Sequence, residues 1–233
     1  MKKIFLSIVA IVAIVAIAAC TKSEVQYDAP QEISFAPVAK NATKAALAEN
    51  AIPTTDIIVS ANAGDAGSTI VDCDQPYFSE VTFRQGGTQG VFEAADCYWP
   101  NVQHLSFIGV TASEGISANN IEMSVNANTI TISDYAQPAF TINNNDLMWF
   151  PSTTPQGKSN PTIGVEMFHA CSWLQFYFKG DGVSGSSKPW KILSIDILSL
   201  SQKETATITG NNIVWSETCT VSAGTKKSYN VYK

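Results

Sequence analysis

The sequence predicts an all-β protein, and two observations lead to that fold class. Short runs of apolar and β-branched residues recur along the chain, and glycine, asparagine and proline separate them as turn residues. Serine, threonine, asparagine and glycine are common between these runs, which suits an extracellular all-β protein. With 233 residues, the chain can bury a sizeable core in one or two domains. Strands at such short intervals indicate a β-sandwich or a barrel.

The longest apolar run outside the N-terminus, Ile163–Lys179, favours the sandwich. Phe168 and Leu174 share one parity of this run, whereas Met167 and Trp173 share the other. Successive side chains of a strand point to opposite faces, so both faces of this strand are expected to be apolar. A strand of that kind is typical of the centre of a sheet that is covered on both sides.

The chain begins with a targeting segment, residues 1–19. Two lysines precede an apolar stretch, Ile4–Ile17, which is short for a membrane span. Small residues then lead to Cys20, as in the cleavage site of a bacterial lipoprotein. We therefore expect cleavage before Cys20 and a diacylglycerol anchor on its sulfur; the alternative is an ordinary secretory signal in which the cysteine stands by chance. Residues 20–32 are polar and aperiodic and are expected to form a tether.

The remaining strands are predicted from alternation and from the turn residues that bound them. In order, they are Ile33–Val38, Ile57–Ala61, a hairpin of Tyr77–Arg84 with Val91–Ala95, Leu105–Val110, a hairpin of Ile121–Val125 with Thr129–Ile132, Ile192–Leu200, and a hairpin of Thr205–Ile208 with Ile213–Trp215. Between the first two strands, residues 40–50 are small and polar and are expected to form an exposed loop.

Composition and motifs argue against an enzyme or a nucleic-acid-binding protein. The net charge is −6 and no basic patch is present, so no nucleic acid is expected as a partner. The sequence contains no phosphate-binding glycine loop and no hydrolase or zinc-protease motif. We therefore expect a non-catalytic protein without a metal or cofactor. Five tryptophans suggest a sugar-binding platform, but their apolar strand contexts favour core packing.

Two pairs of residues are candidates for chemical sites. His169 and Cys171 share one face of a strand, which suits a Cys–His nucleophilic pair or half of a metal site. Packed side chains in a central strand are the favoured interpretation of that pair. Asp72 and Asp74 offer oxygen ligands for calcium, and a solvated loop is the favoured interpretation there.

Four cysteines follow Cys20, and an exported chain allows them to form disulfides. Four cysteines have three connectivities, among which the sequence does not decide. We favour a bridge between Cys73 and Cys97, because these two residues flank one predicted hairpin. Cys171 lies in the predicted central strand and is expected to stay a buried thiol.

Several short motifs occur in an order that resembles the fimbrillin-like family, the subunits of type V pili. They are Ile33-Ser34-Phe35, Thr43-Lys44-Ala45, Tyr98-Trp99-Pro100 with Leu105-Ser106-Phe107, Asp146-Leu147-Met148, Phe168-His169-Ala170 with Leu174, and the strands from Ile195 through Trp215. Each motif alone is unspecific, and the resemblance rests on their order and spacing from residue 33 to residue 215.

The resemblance implies a Greek-key-like β-sandwich over residues 33–216, with residues 217–233 as a tail or as the truncated start of a second domain. It implies a lipid-anchored protein at the surface of the outer membrane, within a fimbrium. The implied partners are the outer membrane, other pilus subunits or further copies of the chain, and a ligand on a host or bacterial surface.

The resemblance also implies maturation by a trypsin-like protease that removes the first strand, so that another subunit can donate a strand to the groove. Lys44 followed by Ala45 is the expected cleavage position, and Lys40 is the second choice. A non-polymerising surface lipoprotein that binds a glycan or a protein is the alternative function.

Overall fold

A computed structural model describes residues 29–40, 53, 55–111, 120–135, 147–159, 161–170, 195–200, 204–216 and 227–232. Nearly all of these residues belong to one structural unit, Gln31–Lys233. Thirteen strands lie in the described part of the chain. They are β1 (Glu32–Ala39), β2 (Ile57–Gly64), β3 (Gln75–Gln85), β4 (Phe92–Tyr98), β5 (His104–Thr111), β6 (Ile121–Ser124), β7 (Thr129–Tyr135), β8 (Met148–Phe150), β9 (Thr162–His169), β10 (Ile195–Leu200), β11 (Glu204–Thr209), β12 (Asn212–Trp215) and β13 (Lys227–Tyr232).

Seven strands close into a barrel in the order β1-β4-β3-β2-β5-β8-β9. The prediction of a Greek-key-like β-sandwich is therefore wrong, although the all-β class is confirmed. The physical reason is the position of β1, which pairs with β4 on one side and with β9 on the other. These two ladders join the ends of the sheet, so it closes on itself instead of facing a second sheet across the core.

The interior of the barrel is filled by large apolar side chains, many of them aromatic. Its core contains Ile33, Phe35, Val59, Phe83, Phe92, Leu105, Phe107, Phe150, Val165 and Met167. Alternate residues of the barrel strands point inward, as in other closed sheets whose interior is a packed core.

A second core lies between the outer face of the barrel and a four-stranded sheet in the order β12-β11-β7-β6. From the barrel, β5 contributes Ile108 and Val110, and β8 contributes Trp149; β7 and β11 cover them with Ile132 and Ile208. Strand β5 is consequently buried along almost its whole length on both faces. A separate pair of strands, β10 and β13, runs antiparallel, and β13 lies within the predicted C-terminal tail.

The apolar run that was predicted as a central strand corresponds to β9, which ends at His169. Ile163 and Val165 point into the barrel, whereas Gly164 and Glu166 are exposed. This strand reaches the second core only at its end, where Phe168 and the following residue Ala170 pack against that core. Strands that are covered on both faces are β2 and β5 instead. Residues 171–179 of the predicted strand lie outside the described residues.

Candidate functional site: the first strand and its seat

Strand β1 closes the barrel, and its two neighbours run in opposite directions. It is antiparallel to β4, with Phe35 opposite Phe92. It is parallel to β9, with a ladder that extends from Ser34 opposite Thr162 to Ala39 opposite Met167. We call the barrel residues that contact β1, in β4, in β9 and in the core beneath it, the β1 seat. Without β1, the two facing edges of β4 and β9 lose these ladders.

The inward face of β1 reaches the centre of the barrel core. Ile33 and Phe35 are 0% exposed, and Ala39 is 1% exposed. The ring of Phe35 packs edge-on against Phe83 and Phe107, with centroid distances of 4.9 and 5.3 Å. Edge-to-face geometry is favourable for aromatic pairs, because the positive ring edge meets the negative face. Phe35 is therefore the principal anchor of β1 in its seat.

The outward face and the backbone of β1 are held mainly by β9. The Ser34 amide donates to the Pro161 carbonyl at 3.2 Å, and the Ser34 hydroxyl lies 2.9 Å from the Thr162 hydroxyl. Even-numbered residues such as Ser34 direct their backbone N–H groups toward β9. The Lys40 amide follows the same pattern and donates to the Met167 carbonyl of β9 at 2.7 Å. Odd-numbered residues of β1, such as Pro37, turn their backbone nitrogen toward the β4 side. Proline has no N–H to donate there, and none is needed, because the β4 ladder ends at Phe35.

Lys40, the second-choice cleavage position, lies directly after β1 and is tied to β9. Its ammonium group forms an exposed ion pair with Glu166 and lies 5.3 Å from the ring centroid of Phe168. A protease needs an extended, mobile substrate, and the Lys40 backbone is bonded to Met167 instead. Lys44 and Ala45, the first choice, lie outside the described residues, as does Cys20.

The cysteines of the predicted disulfide are separate, buried thiols. Cys73 follows β2 and Cys97 lies near the end of β4; both are free in the structure, which contains no bridge between them. Burial raises the pKa of the Cys73 thiol, and the carboxylates of Asp72 and Asp74 raise it further. Burial likewise raises the pKa of Cys97. Cys171 and Cys219 lie outside the described residues.

The loop that contains Asp72 and Asp74 is stabilised by hydrogen bonds within it. The Asp72 carboxylate accepts from the Thr69 hydroxyl at 2.6 Å and from the Thr69 amide at 3.1 Å. These two bonds lower the pKa of Asp72. Within the described ranges, no group of three or more His, Cys, Asp or Glu residues has a metal-binding arrangement. His169 is half-buried at the end of β9, and its predicted neighbour Cys171 is outside the described residues.

Three of the five tryptophans have described positions, and each packs against apolar residues. Trp99 contacts Phe107 in the barrel core, with ring centroids 5.7 Å apart. Trp149 is buried in the second core, and Trp215 donates its indole N–H to the Ala170 carbonyl at 3.3 Å.

None of the helices among the described residues is long and apolar enough to cross a membrane.

Comparisons with known proteins find similarity only among solved structures. No protein family and no curated protein matches the chain. Among solved structures, the chain is similar to one from Bacteroides uniformis described as "a putative cell adhesion protein". The TM-score is 0.48 at 15% sequence identity, and the match covers 88% of this chain and 72% of that chain. A likeness of this extent assigns neither a family nor an activity to the chain.

Proposed function

We propose that this protein is a non-catalytic, lipid-anchored surface protein of the fimbrillin-like type, which assembles with other subunits or with its own copies by exchange of β1. The observation that carries the proposal is the role of β1 in the barrel. One strand at the start of the domain supplies both ladders that close the sheet and the central aromatic anchor, Phe35. A lysine-containing connector follows it directly, at residues 40–56.

Closure of the barrel supports assembly that is controlled by processing. A closed sheet has no long free edge, and free edges are what allow a sheet to pair with another chain. Loss of β1 would expose the edges of β4 and β9, together with Phe83 and Phe107 beneath them. A strand from another subunit then restores the backbone hydrogen bonds and refills the core, which is β-augmentation.

The two ladders set the direction and the pattern of the incoming strand. It must run antiparallel to β4 and parallel to β9, as β1 does. It must also place large apolar side chains at the positions of Ile33 and Phe35 and a small one at Ala39, because these three point into the core. The anchor on Cys20 and the location at the outer membrane belong to the same proposal and rest on the N-terminal sequence pattern.

Limited trypsin digestion of the folded protein tests the proposal. We expect one early cut after Lys44, giving a new N-terminus at Ala45, and a gain of high-molecular-weight ladders on a gel run after mild heating. Lys44→Gln is the matched variant that should prevent both, while Lys40→Gln should change neither. Arg84 lies in β3 opposite Glu93 and pairs with Asp56 at 3.3 Å, so it should resist. A first cut at Arg84, or a cut at Lys44 without any gain in assembly, would contradict strand exchange.

A further inference from the structure

A small cavity opens where the barrel meets the turn between β6 and β7. Its volume is about 190 Å³, and it is bounded by β2, the start of β3 and residues 123–126. The polar residues that line it are Ser60, Asn62, Asp74, Ser79, Ser124 and Asn126. The apolar residues of its wall are Pro76, Phe78, Met123 and Val125.

The cavity exists because the barrel wall is irregular at this point. The ladder between β2 and β3 shifts register on both sides of Ala61. Glu80 has a left-handed backbone (φ 52°), and its amide donates to the Ser60 hydroxyl at 2.8 Å instead of continuing a regular ladder. Register shifts of this kind bend a strand and redirect its side chains. The turn at 124–126 therefore does not fill the space above β2 and β3.

Several polar groups of the cavity have hydrogen-bonding capacity to spare. Within the described part of the chain, neither the side-chain amide of Asn62 nor the Ser79 hydroxyl has a hydrogen-bond partner. Asp74 accepts through Oδ1 from Nε2 of the Gln75 side chain at 2.8 Å, which leaves its Oδ2 available. The Ser124 hydroxyl donates to Asn126 Oδ1 at 2.8 Å, which leaves the Asn126 NH₂ group available. The wall thus offers amide donors, a carboxylate acceptor and a hydroxyl together.

We propose that this cavity binds one uncharged sugar residue of a glycan. Sugar hydroxyls both donate and accept, so they match a wall that combines amides with a carboxylate such as Asp74. The apolar C–H face of a sugar ring matches Pro76, which is exposed at the cavity. The volume is small for a ligand pocket, which suits a single ring and not a longer segment.

The chemistry of the wall argues against the other common ligand classes. No lysine, arginine or histidine lines the cavity, so a phosphate or an acidic sugar would meet Asp74 without a compensating cation. One carboxylate among amides and hydroxyls is too few charges for a tight divalent-cation site. No residue of β1, β4 or β9 lines the cavity, so sugar binding can be tested whether or not β1 is exchanged.

Titration of the full chain with neutral monosaccharides tests the assignment. Glucose, galactose, mannose and N-acetylglucosamine are added to the ¹⁵N-labelled protein, and amide shifts are followed by NMR. For a single ring in an open cavity we expect millimolar affinity for at least one of them. The shifts should fall on residues 60–62, 74–79 and 123–126. Glucuronic acid and inorganic phosphate serve as anionic probes and should not bind.

Two substitutions within the cavity and one outside it complete the experiment. Asn62→Ala and Asp74→Asn should each weaken sugar binding by about tenfold or more. Asn101→Ala removes an exposed amide in the β4–β5 loop and should change nothing. Asp74 is exposed, so Asp74→Asn tests the site even if Asn62→Ala does not fold. Absence of binding by every neutral sugar, preference for an anionic probe, or binding unchanged in both cavity variants would overturn the assignment.

Discussion

Replacing Phe35 by alanine should reveal how strongly β1 is held in the barrel. The side chain is 0% exposed and contacts three aromatic rings, those of Phe83, Phe107 and Phe150. Truncation of a buried phenylalanine costs about 3–5 kcal/mol through lost burial and the cavity left behind. Two edge-to-face pairs add to that cost. We therefore expect the free energy of unfolding to fall by about 4–5 kcal/mol.

Urea denaturation followed by tryptophan fluorescence measures this loss. With a slope of about 2 kcal/mol per molar urea, the midpoint should fall by roughly 2 M. Val102→Ala, at a position 81% exposed in the β4–β5 loop, is the control and should leave the midpoint unchanged. Phe35→Leu retains most of the apolar volume and should fall between the two. If Phe35→Ala costs no more than Val102→Ala, β1 does not occupy the centre of the core.

Four further predictions concern other parts of the chain. Gly109→Ala should lower the free energy of unfolding by about 1–3 kcal/mol in the same urea assay. The reason is that a Cβ there would lie 2.3 Å from the buried Phe150 ring and 3.1 Å from the Ile58 carbonyl. Cys73 and Cys97 should both react slowly with a thiol reagent at pH 8 and rapidly in urea, whereas an intact bridge would block both reactions. Burial raises the pKa of both thiols, so the folded state favours their neutral form. The free energy of unfolding, measured by urea melts, should stay constant below roughly pH 8.5 and fall above it, because the thiols of the unfolded chain ionise first. Cys20→Ala should abolish incorporation of labelled palmitate and release the protein from membranes, and a wild-type protein that takes up no label would refute lipidation.

The strands were predictable where local patterns determine them. Alternation placed the first strand at Ile33–Val38, and the structure has it at Glu32–Ala39. The turn at Gly210 and Asn211 was sufficient to predict the β11–β12 hairpin, since Gly210 adopts the left-handed backbone (φ 59°) that the turn requires. In each case the relevant interactions involve residues near one another in sequence.

Closure of the barrel was not predictable, because it depends on distant pairs. Ser34 meets Thr162 across 128 positions of the chain. An apolar strand face packs equally well inside a barrel and between two sheets, so the pattern of β9 does not distinguish these folds. The same limitation applies to the cavity, whose wall combines Asn62, Ser79 and Asn126 from three separate strands and turns. It applies to Lys40 as well, since its bond to Met167 exists only after β1 and β9 have paired.

Exchange of a β1 peptide into the processed barrel tests the central claim most directly. A fluorescent peptide of residues 30–40 is added to the protein before and after cleavage at Lys44, and incorporation is followed by anisotropy. We expect incorporation only after cleavage, with affinity reduced at least about 100-fold when the peptide carries Phe35→Ala, the equivalent of about 3 kcal/mol. Equal binding to cut and uncut protein, or equal binding of the two peptides to the cut protein, would contradict it.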